Sequence, residues 1–344
     1  MFKNEKLIAD LHPRKKYVIH FEELKLYLQC GAVLDNVHRV LSFKQKPWLE
    51  TFIAWCTENR KKSTTDFEKD FWKLIVNSLY GKSIQQMRKR TNIQIVRSPT
   101  QLINFVKKAT FSNYIHVTDT IGLVVMKRTT CRLNKPIYTG ATCVSRAKTI
   151  MTDFHYNHIS KHFKNVKLLM TDTNSMAYYI TGQDPYVHML NNKSMFDTSN
   201  FPKVHNNTFL QQLNLFDKTN NKVLGKFKDE CPVAPIYKFV FLKPKMYAYK
   251  KCEGKEKDSV VKRAKGIPTD YVKKQQTFAT YQSAFDNIEC KDITAKCIRS
   301  KNHQNVTIEI TKAGLNQFCS KRYNISKNES LPFGHYKVKN YVKK

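Results

Sequence analysis

The sequence is poor in acidic side chains: 27 Asp and Glu stand against 60 Lys and Arg in 344 residues, a formal charge of +33. Because such a chain repels itself, an anionic partner is expected, and the basic clusters are spread along its whole length. No long amphipathic basic helix stands out, so nucleic acid is favoured over a membrane surface as that partner. Charge kept only for solubility is the remaining alternative.

The sequence also has no C-x-x-C pair, because its nine cysteines are scattered from Cys30 to Cys319. This pattern argues against a disulfide framework and a zinc ribbon, and it predicts reduced thiols in an intracellular protein of the nucleus or cytoplasm rather than a secreted one. No apolar run is long enough for a signal peptide or a membrane span, so no membrane association is expected. A hydrophobic content of 41% supports packed cores.

The apolar periodicity predicts a mixed α+β chain with several domains. Strands are expected over 17–20 and 37–43, and together with a helix over 22–30 they would form a strand-helix-strand unit. A helix over 48–58 and a long helix from Asp66, with Asp66 as its N-cap, should pack antiparallel. Further predicted elements are a strand over 93–96, a short helix over 101–108, a strand over 121–125, a helix over 145–163, a hairpin from 167–170 and 176–180, and an extended strand over 237–249.

The long helix carries Lys73, Asn77 and Tyr80 at i, i+4 and i+7, so that one face presents an ammonium, an amide and a phenol. Such a row can hold a triphosphate, a sugar and a base. An amphipathic helix with a solvated lysine is the alternative, and the spacing alone does not decide between the two. The apolar stripe expected to anchor this helix comprises Phe67, Phe71, Leu74, Ile75 and Leu79.

The turn of the predicted hairpin contains Asp172 and Asn174, and strand alternation would place both side chains on the same side. Carboxylate oxygens are the ligands that Mg²⁺ requires, whereas the amide of Asn174 offers one neutral oxygen. A polar hairpin turn that binds no metal is the alternative interpretation.

The predicted strand over 237–249 would carry Lys243, Lys245, Tyr247 and Tyr249 on one side. Alternating cations and aromatic rings can follow a phosphate backbone. The K-x-Y pattern at 245–247 is weak when it stands alone, and its value lies in its order after the other two motifs.

His155, His158 and His162 lie at helical spacing within the helix over 145–163, a pattern that can indicate zinc. No cysteine or acidic residue with matching spacing lies nearby, apart from Asp153. A helix that packs Phe154, Ile159 and Phe163 accounts better for this segment and is favoured over a zinc site.

Three motifs in this order resemble family B DNA polymerases: K-x-x-x-N-S-x-Y-G at 73–81, D-T-N-S at 172–175 in place of D-T-D-S, and K-x-Y at 245–247. The resemblance covers nearly the whole chain. Within the family, the chain is similar in pattern to the protein-primed members found in viruses and self-synthesising DNA transposons. The further segments of the resemblance are 16–20, 38–41, 43–49, 66–71, 225–230 and 264–268.

The resemblance implies a polymerase right hand of palm, fingers and thumb. The exonuclease domain and the first palm motif of these enzymes, D-x-x-S-L-Y-P, do not occur in the 344 residues. The implied parts are a palm piece over 1–48, fingers over 49–90, an insertion over 91–135, the palm with its metal-site hairpin over 136–250, and a thumb over 251–344.

The same resemblance implies how a nucleotide is held. Lys73 would contact the phosphates of the incoming dNTP, Asn77 and Tyr80 would lie under the nascent base pair, and Gly81 would allow its close approach. Arg60 and Lys61 would face the same triphosphate, with a merely solvated basic turn as the alternative for these two residues.

For catalysis, the resemblance implies that Asp172, with Asn174 at the degenerate second position, belongs to a two-metal Mg²⁺ site that is incomplete in this chain. Lys243, Lys245 and Tyr247 would grip the primer terminus. Losing one carboxylate at such a site predicts weak or no activity of this fragment.

The implied function is template-directed DNA synthesis, the transfer of nucleotides from dNTPs to a primer 3′-OH on primer-template DNA. A terminal protein is the further partner that a protein-primed enzyme implies. The alternative is a non-catalytic DNA-binding remnant of such a polymerase. A third interpretation, an unrelated basic RNA-binding protein, would make the order of the three motifs a coincidence.

Overall fold

Helix accounts for 37% and strand for 26% of the structure, which confirms the expected mixed α+β class. The chain divides into two compact units, one formed by residues 42–146 and 296–310 and the other by the remaining segments. Among the described residues, every helix is too short or too polar to span a bilayer. The structure, a computed structural model, describes residues 9–10, 12–204, 208–251, 259–287, 290–301, 304–326 and 329–342.

In the unit that contains residues 42–146, two helices follow each other and form a helical hairpin. Helix α1 spans Glu50–Lys62 and helix α2 spans Asp66–Ser83. The two helices pack through an edge-on contact between Trp55 and Trp72, whose ring centroids are 5.0 Å apart. Since Trp55 precedes the connecting turn by about as many residues as Trp72 follows it, the helices run antiparallel, as the sequence predicts.

The N-cap of α2 is Thr65, so the prediction of Asp66 was wrong by one position. The Thr65 hydroxyl accepts a hydrogen bond from the Glu68 N–H, and the Glu68 carboxylate accepts one from the Thr65 N–H. This reciprocal capping box satisfies backbone donors that would otherwise lack a partner, and Asp66 is therefore the first residue inside the helix.

The predicted apolar anchor of α2 was wrong for three of its five members. Phe67, Phe71 and Leu74 are 80%, 47% and 64% exposed. Helix α1 packs against a different side of α2, where Trp72 lies, so the anchoring face is rotated away from the predicted stripe. Only Ile75 and Leu79 of the stripe are partly buried.

A small antiparallel sheet follows, with β1 (Asn92–Val96), β2 (Phe111–Thr118) and β3 (Ile121–Met126) in the order β1-β3-β2. Helix α3 (Pro99–Val106) packs on it over a core centred on Val124. The strands predicted near residues 93–96 and 121–125 and the short helix between them are confirmed, whereas β2 was not predicted.

Helix α4 (Ile137–Asp153) begins before the predicted start at Ser145. Gly140 lies against the end of α2, because a Cβ added to it would fall 2.3 Å from Ile84 Cγ2 and 2.4 Å from Ser83 Oγ. The helix continues as a π-helix (Phe154–Ile159), which ends in a short α-helical turn, α5 (Ser160–His162).

The predicted strand-helix-strand unit near the N-terminus was wrong, although its helix forms over Phe21–Gln29 (helix αN). A strand requires a hydrogen-bonded partner, and no described residue pairs with 17–20 or 37–43. The apolar side chains that suggested strands are instead exposed, with Val18 at 93% and Val40 at 76%.

Helix αN is fixed by a buried carboxylate. Glu23 is only 4% exposed, accepts a hydrogen bond of 2.7 Å from the Tyr27 hydroxyl, and forms an ion pair with Lys148 of α4. Burial would lower the pKa of Lys148, but the hydrogen bonds to Glu23 and Tyr27 outweigh it and raise that pKa above its usual value.

The predicted hairpin is confirmed: β4 (Asn165–Asp172) pairs with β5 (Ser175–Thr181), and Thr173 and Asn174 form the turn. Asp172 is thus the last residue of a strand and Asn174 lies in the turn. Since the two positions do not belong to one extended segment, strand alternation does not place their side chains together, and that expectation was wrong.

Beside this hairpin, the π-helix and α6 (Pro185–Asn191) pack over a core that includes Phe154, Phe163 and Phe196. His188 of α6 is half-buried and packs against Phe163 and Phe196 of this core. Burial, together with the neighbouring His158 and His162, lowers the pKa of His188 to about 4.

The predicted single strand over 237–249 is two strands, so that prediction was wrong. Strand β6 (Ile236–Lys243) turns at Pro244 and Lys245 into β7 (Met246–Lys251), and β8 (Ser259–Ala264) pairs with the other edge of β7. Proline at the first turn position fixes a backbone angle that suits a turn. The predicted boundary between palm and thumb falls inside this sheet.

One face of this sheet is buried against helices α8 (Thr269–Gln275) and α9 (Phe278–Asn287), with Met246 and Ala248 in the core. The other described elements are α7 (Thr208–Leu213), β9 (Asp292–Lys301), β10 (Gln304–Ala313), β11 (Arg322–Asn324), β12 (Ser330–Pro332), α10 (Lys339–Val342) and 3₁₀ turns at Met87–Lys89, Lys193–Met195 and Tyr336–Val338.

Candidate nucleic-acid interface

The tips of two hairpins meet at the candidate site. Asp172 ends β4, Lys245 lies in the turn between β6 and β7, and the Lys245 Nζ donates to the Asp172 Oδ1. The two residues are 73 positions apart in the sequence. The fold therefore joins the D-T-N-S turn and the K-x-Y segment, which the sequence analysis could connect only by their order.

Both turns hold a non-glycine residue in a backbone conformation that favours glycine. Thr173 has a φ of +59° and Lys245 a φ of +65°. Each such residue costs on the order of 1–3 kcal/mol, and such strain clusters at sites where the surrounding structure fixes a functional geometry. The strain thus coincides with the two hairpin tips that carry the motifs.

The local charge favours an ionised Asp172. The hydrogen bond from Lys245 lowers the pKa of the Asp172 carboxyl, and a 3.2 Å hydrogen bond from the Thr173 hydroxyl and the nearby charge of Lys265 act in the same direction. The Lys265 N–H also donates to the Lys245 carbonyl at 2.9 Å, which ties the turn to the start of the segment after β8.

Tyr247 lies at the centre of the charged groups. Its pKa is raised, chiefly by burial, while its phenol stands within electrostatic range of Arg263, Asp172, Glu230 and Lys245. Arg263 is its cross-strand partner on β8. Glu230 is the last residue of the further segment of the resemblance over 225–230, so this segment also reaches the site.

An aromatic row extends from Tyr247 along the face of the sheet opposite the core, where its three rings are half-buried. The rings of Phe239, Tyr247 and Tyr249 are nearly parallel, with centroids 6.1 to 6.3 Å apart. Strand alternation directs Met246 and Ala248 to the core and leaves the tyrosines on the opposite face. Parallel rings beside cationic side chains form a surface on which nucleic-acid bases and sugars can stack.

Lys243 is engaged elsewhere. Its Nζ donates to the Asn316 Oδ1 at 2.7 Å and to the Phe318 carbonyl at 3.3 Å, and burial lowers the pKa of its ammonium group. Among the three predicted primer-binding residues, the structure therefore brings Lys245 and Tyr247 to Asp172 and directs Lys243 to the C-terminal segment.

The predicted nucleotide-binding residues of α2 form an accessible face. Lys73, Asn77, Tyr80 and Gly81 are all exposed. A Cβ added to Gly81 would have no heavy atom within 4 Å, so the helix leaves open space at this position. These residues are therefore accessible to a ligand.

The two basic residues at the end of α1 differ from each other. Arg60 is half-buried, and the exposed Lys61 forms an ion pair with Glu58 at 2.9 Å. Side-chain exposure and a weak exposed ion pair leave Lys61 free to exchange partners. Neither residue is tested further by the geometry, and both remain predictions.

The residues at Asp172 do not fit a complete two-metal Mg²⁺ site. Two Mg²⁺ ions need several negatively charged oxygen ligands, whereas among the described residues no group of three or more acidic, histidine or cysteine ligands gathers at this turn. Asp172 is neutralised by Lys245, and Asn174 contributes no charge. We therefore derive no catalytic step through Mg²⁺ from these residues.

Sequence reasoning missed several members of the site. Arg263 and Phe239 carry no sequence signal beyond a charge and an aromatic ring, and the D-T-N-S motif gives no sign that Thr173 is strained. The one available signal was Pro244, because proline between two apolar runs indicates a turn and would have placed Phe239 opposite Tyr249.

No protein-family model, curated protein or solved structure matches this chain. Its fold and site define a basic, mixed α+β protein in which a carboxylate, a strained lysine turn and an aromatic row lie side by side. A functional conclusion therefore depends on these residues and on the motifs that they form.

Proposed function

We propose that the chain is the C-terminal part of a protein-primed family B DNA polymerase, with palm, fingers and thumb elements, and that it serves template-directed DNA synthesis. Its proposed ligands are primer-template DNA, dNTPs and a terminal protein. The observation that carries the proposal is the contact between Lys245 and Asp172. Two motifs that the resemblance assigns to one active centre lie together, although they are far apart in the sequence.

The aromatic row gives this proposal a binding surface. Tyr247, Tyr249 and Phe239 offer stacking faces, while Lys245 and Arg263 supply cations at the same end of the sheet. Stacking does not discriminate between bases, and phosphate contacts are independent of sequence. The surface thus suits the sequence-independent grip that a polymerase needs on a primer.

Nucleotide transfer itself requires more than these residues offer. In the family, two Mg²⁺ ions activate the primer hydroxyl and stabilise the leaving pyrophosphate. A single carboxylate held by a lysine favours the second candidate function, a non-catalytic DNA-binding remnant of a polymerase. Both candidates require DNA binding, and only the first requires extension of a primer.

DNA binding is tested by fluorescence anisotropy with a labelled primer-template over a series of salt concentrations. We expect little sequence preference and a steep loss of affinity with salt, because each neutralised phosphate contributes about 0.9 to the log–log slope. Tyr247→Ala should weaken binding by about 1–3 kcal/mol through lost stacking. Lys245→Ala should reduce the salt slope by about one unit.

Lys164→Ala is the control for charge, because the exposed Lys164 lies next to the opposite end of the β4–β5 hairpin. It should change binding less than Lys245→Ala does. Salt-independent affinity, or equal effects of the two lysine variants, would contradict the proposed surface. Stronger binding to duplex RNA than to primer-template DNA would favour the basic RNA-binding interpretation.

A further inference from the structure

Three histidines converge at the root of the β4–β5 hairpin. His158 and His162 are one helical turn apart on the π-helix and α5, and His188 comes from α6. Their ring centroids form a nearly equilateral triangle with sides of 4.7, 4.7 and 4.9 Å. One ligand nitrogen of each ring lies within 4.8 Å of the others.

The hydrogen bond of the His162 ring favours a metal-binding arrangement. The Nδ1 of His162 lies 2.7 Å from the His158 carbonyl oxygen. Because a carbonyl can only accept, that nitrogen donates its proton, and the lone pair of His162 is on Nε2. Metal-bound histidines are commonly oriented in this way, by donation from the second ring nitrogen to a carbonyl or carboxylate.

In the rings of His158 and His188, one nitrogen faces the other directly. The Nε2 of His158 and the Nε2 of His188 are 2.7 Å apart. Without a cation, one of the two must carry a proton that it shares with the other. A bound cation replaces this proton, because both nitrogens can then direct a lone pair toward it.

We propose that His158, His162 and His188 bind one divalent transition-metal ion of the Zn²⁺ type through their Nε2 atoms. Three neutral imidazoles suit Zn²⁺ and its neighbours rather than Mg²⁺ or Ca²⁺, which prefer oxygen. Tetrahedral binding at about 2.0–2.1 Å per nitrogen separates two ligand atoms by roughly 3.3 Å, so the close pair must part by about 0.6 Å.

The surroundings of the three rings hold α6 in place and leave an entrance for the ion. His158 is buried against Phe154, whereas His162 is exposed, so the ion can enter from the side of His162. The Asn192 side chain donates to the His188 carbonyl at 2.9 Å and fixes the end of α6. With three protein ligands, the fourth position remains for water, and π-helical segments of this kind are frequent at functional sites.

The position of the three histidines separates this ion from the polymerase motifs. The π-helix and α5 directly precede β4, and α6 follows β5, so the ion joins the two ends of the hairpin root. Asp172 is at the other end of β4, about 23 Å away at roughly 3.3 Å per residue. The ion would fix the hairpin rather than act at its tip, and the proposal is independent of the polymerase function.

The test uses the full chain, freed of metal with a chelator. ZnCl₂ is titrated in competition with a chromophoric chelator, and CoCl₂ is titrated with detection of the visible absorption of the cobalt. We expect one histidine-dependent ion per chain, a tetrahedral Co²⁺ spectrum, and no thiolate-to-cobalt charge-transfer band. The last result separates this site from binding by the nine cysteines.

Variants identify the ligands. His162→Gln changes an exposed side chain and should preserve the fold. Its Zn²⁺ affinity should fall by more than the roughly 10- to 100-fold that follows the loss of a residue that only orients a metal ligand. His188→Gln should do the same. His155→Gln is the matched control, because His155 lies on the same π-helix but its Nδ1 contacts the Tyr178 hydroxyl at 3.2 Å.

Zn²⁺ should also raise the thermal midpoint of the original chain and of His155→Gln, but not that of His162→Gln, since only a bound ligand stabilises the folded state. If His188→Gln fails to fold, His162→Gln decides alone. Zn²⁺ affinity that is absent, or unchanged in His162→Gln, would overturn the proposal and leave the three rings as a hydrogen-bonded cluster beside the core.

Discussion

The ammonium group of Lys245 is held on the carboxylate of Asp172, at the junction of two strained hairpin turns. Lys245 is also the residue that the resemblance assigns to the primer. A DNA phosphate and Asp172 must therefore compete for one cation. Because the two side chains are 45% and 22% exposed, their ion pair contributes only about 0–1 kcal/mol to stability, so the competition can be resolved in favour of DNA.

This competition predicts that Asp172→Asn strengthens DNA binding. The substitution removes a negative charge beside the phosphate backbone and releases Lys245, so the affinity should rise several-fold and the log–log salt slope should steepen by up to about 0.9. Anisotropy titrations measure both quantities. Asp119→Asn removes the same charge from a fully exposed turn and is the control. Equal gains in the two variants would mean that net charge alone, and not Lys245, determines the effect.

For the face of α2, we predict that Lys73→Ala lowers dNTP affinity by about 10- to 100-fold, since a hydrogen bond to a charged group is worth about 1.5–3 kcal/mol. DNA affinity should stay nearly constant, because the proposed primer contacts lie on β7. The control is Lys82→Ala: Lys82 follows nine residues later on the same helix, about 180° around its axis. Parallel losses of dNTP and DNA binding in Lys73→Ala would contradict the division of roles.

Two glycines at the same end of α2 should respond in opposite ways. Gly140→Ala would force a methyl group against Ser83 and Ile84, and we expect a loss of about 1–3 kcal/mol in the free energy of unfolding. Gly81→Ala, in a helical position with open space, should gain about 0.5–1 kcal/mol. Thermal and urea unfolding measure both.

Gly81→Ala also tests the nucleotide face. If Gly81 allows the close approach of a base pair, Gly81→Ala should be more stable than the original chain. Its affinity for dNTP in the presence of DNA should nevertheless be lower. A variant that is both more stable and fully competent in binding would assign Gly81 no functional role.

The ion pair between Glu23 and Lys148 predicts a pH dependence. Lys148→Met removes a cation that pairs with a buried carboxylate, which should cost about 1–3 kcal/mol, toward the lower end because half of the Lys148 side chain is exposed. The folded-state pKa of Lys148 is raised above 10.5. Its stabilising contribution is therefore fully present below pH 10.5 and is lost as the pH rises through the folded-state pKa.

Unfolding free energies of the original chain and of Lys148→Met, measured from neutral to alkaline pH, should consequently converge above pH 10.5. The difference between the two curves removes the titration of lysines and tyrosines that do not interact with Lys148, whereas Tyr27 interacts with it and contributes to the difference. A difference that stays constant across this range would show that packing of the lysine stem, and not its charge, accounts for the effect.

The sequence predicted those elements whose signals are local. The β4–β5 hairpin needs only two apolar runs around a polar turn, and α2 needs a helical period and a cap within a few residues. The segment over 17–20 failed because a strand exists only with a partner, and no local pattern shows whether one is present. The break of the strand at Pro244 did have a local signal, which the alternation of lysines and tyrosines obscured.

The candidate sites depended on tertiary contacts that spacing does not contain. Lys245 and Asp172 each belong to a motif of the resemblance, but nothing in the order of the motifs shows that the two residues touch. The helical period grouped His155 with His158 and His162, whereas the fold turns His155 toward Tyr178 and brings in His188 from another helix. Residues from separate elements meet only after packing, and this is the information that the sequence of one chain leaves out.

The decisive prediction concerns Asn174, which holds a turn position beside Asp172 and supplies no charge. We expect no measurable Mg²⁺-dependent extension of a labelled primer by these 344 residues, because one lysine-bound carboxylate cannot hold two Mg²⁺ ions.

Fusion to a segment that supplies a D-x-x-S-L-Y-P aspartate should give weak activity at best. Combining the fusion with Asn174→Asp should raise the rate by orders of magnitude, since each ~1.4 kcal/mol is tenfold in rate. Asn165→Asp, which adds the same charge at the root of the hairpin, should leave the fusion as weak as before. If the unmodified chain extends primers well, Asn174 is no handicap, and the assignment of the catalytic turn must be redrawn.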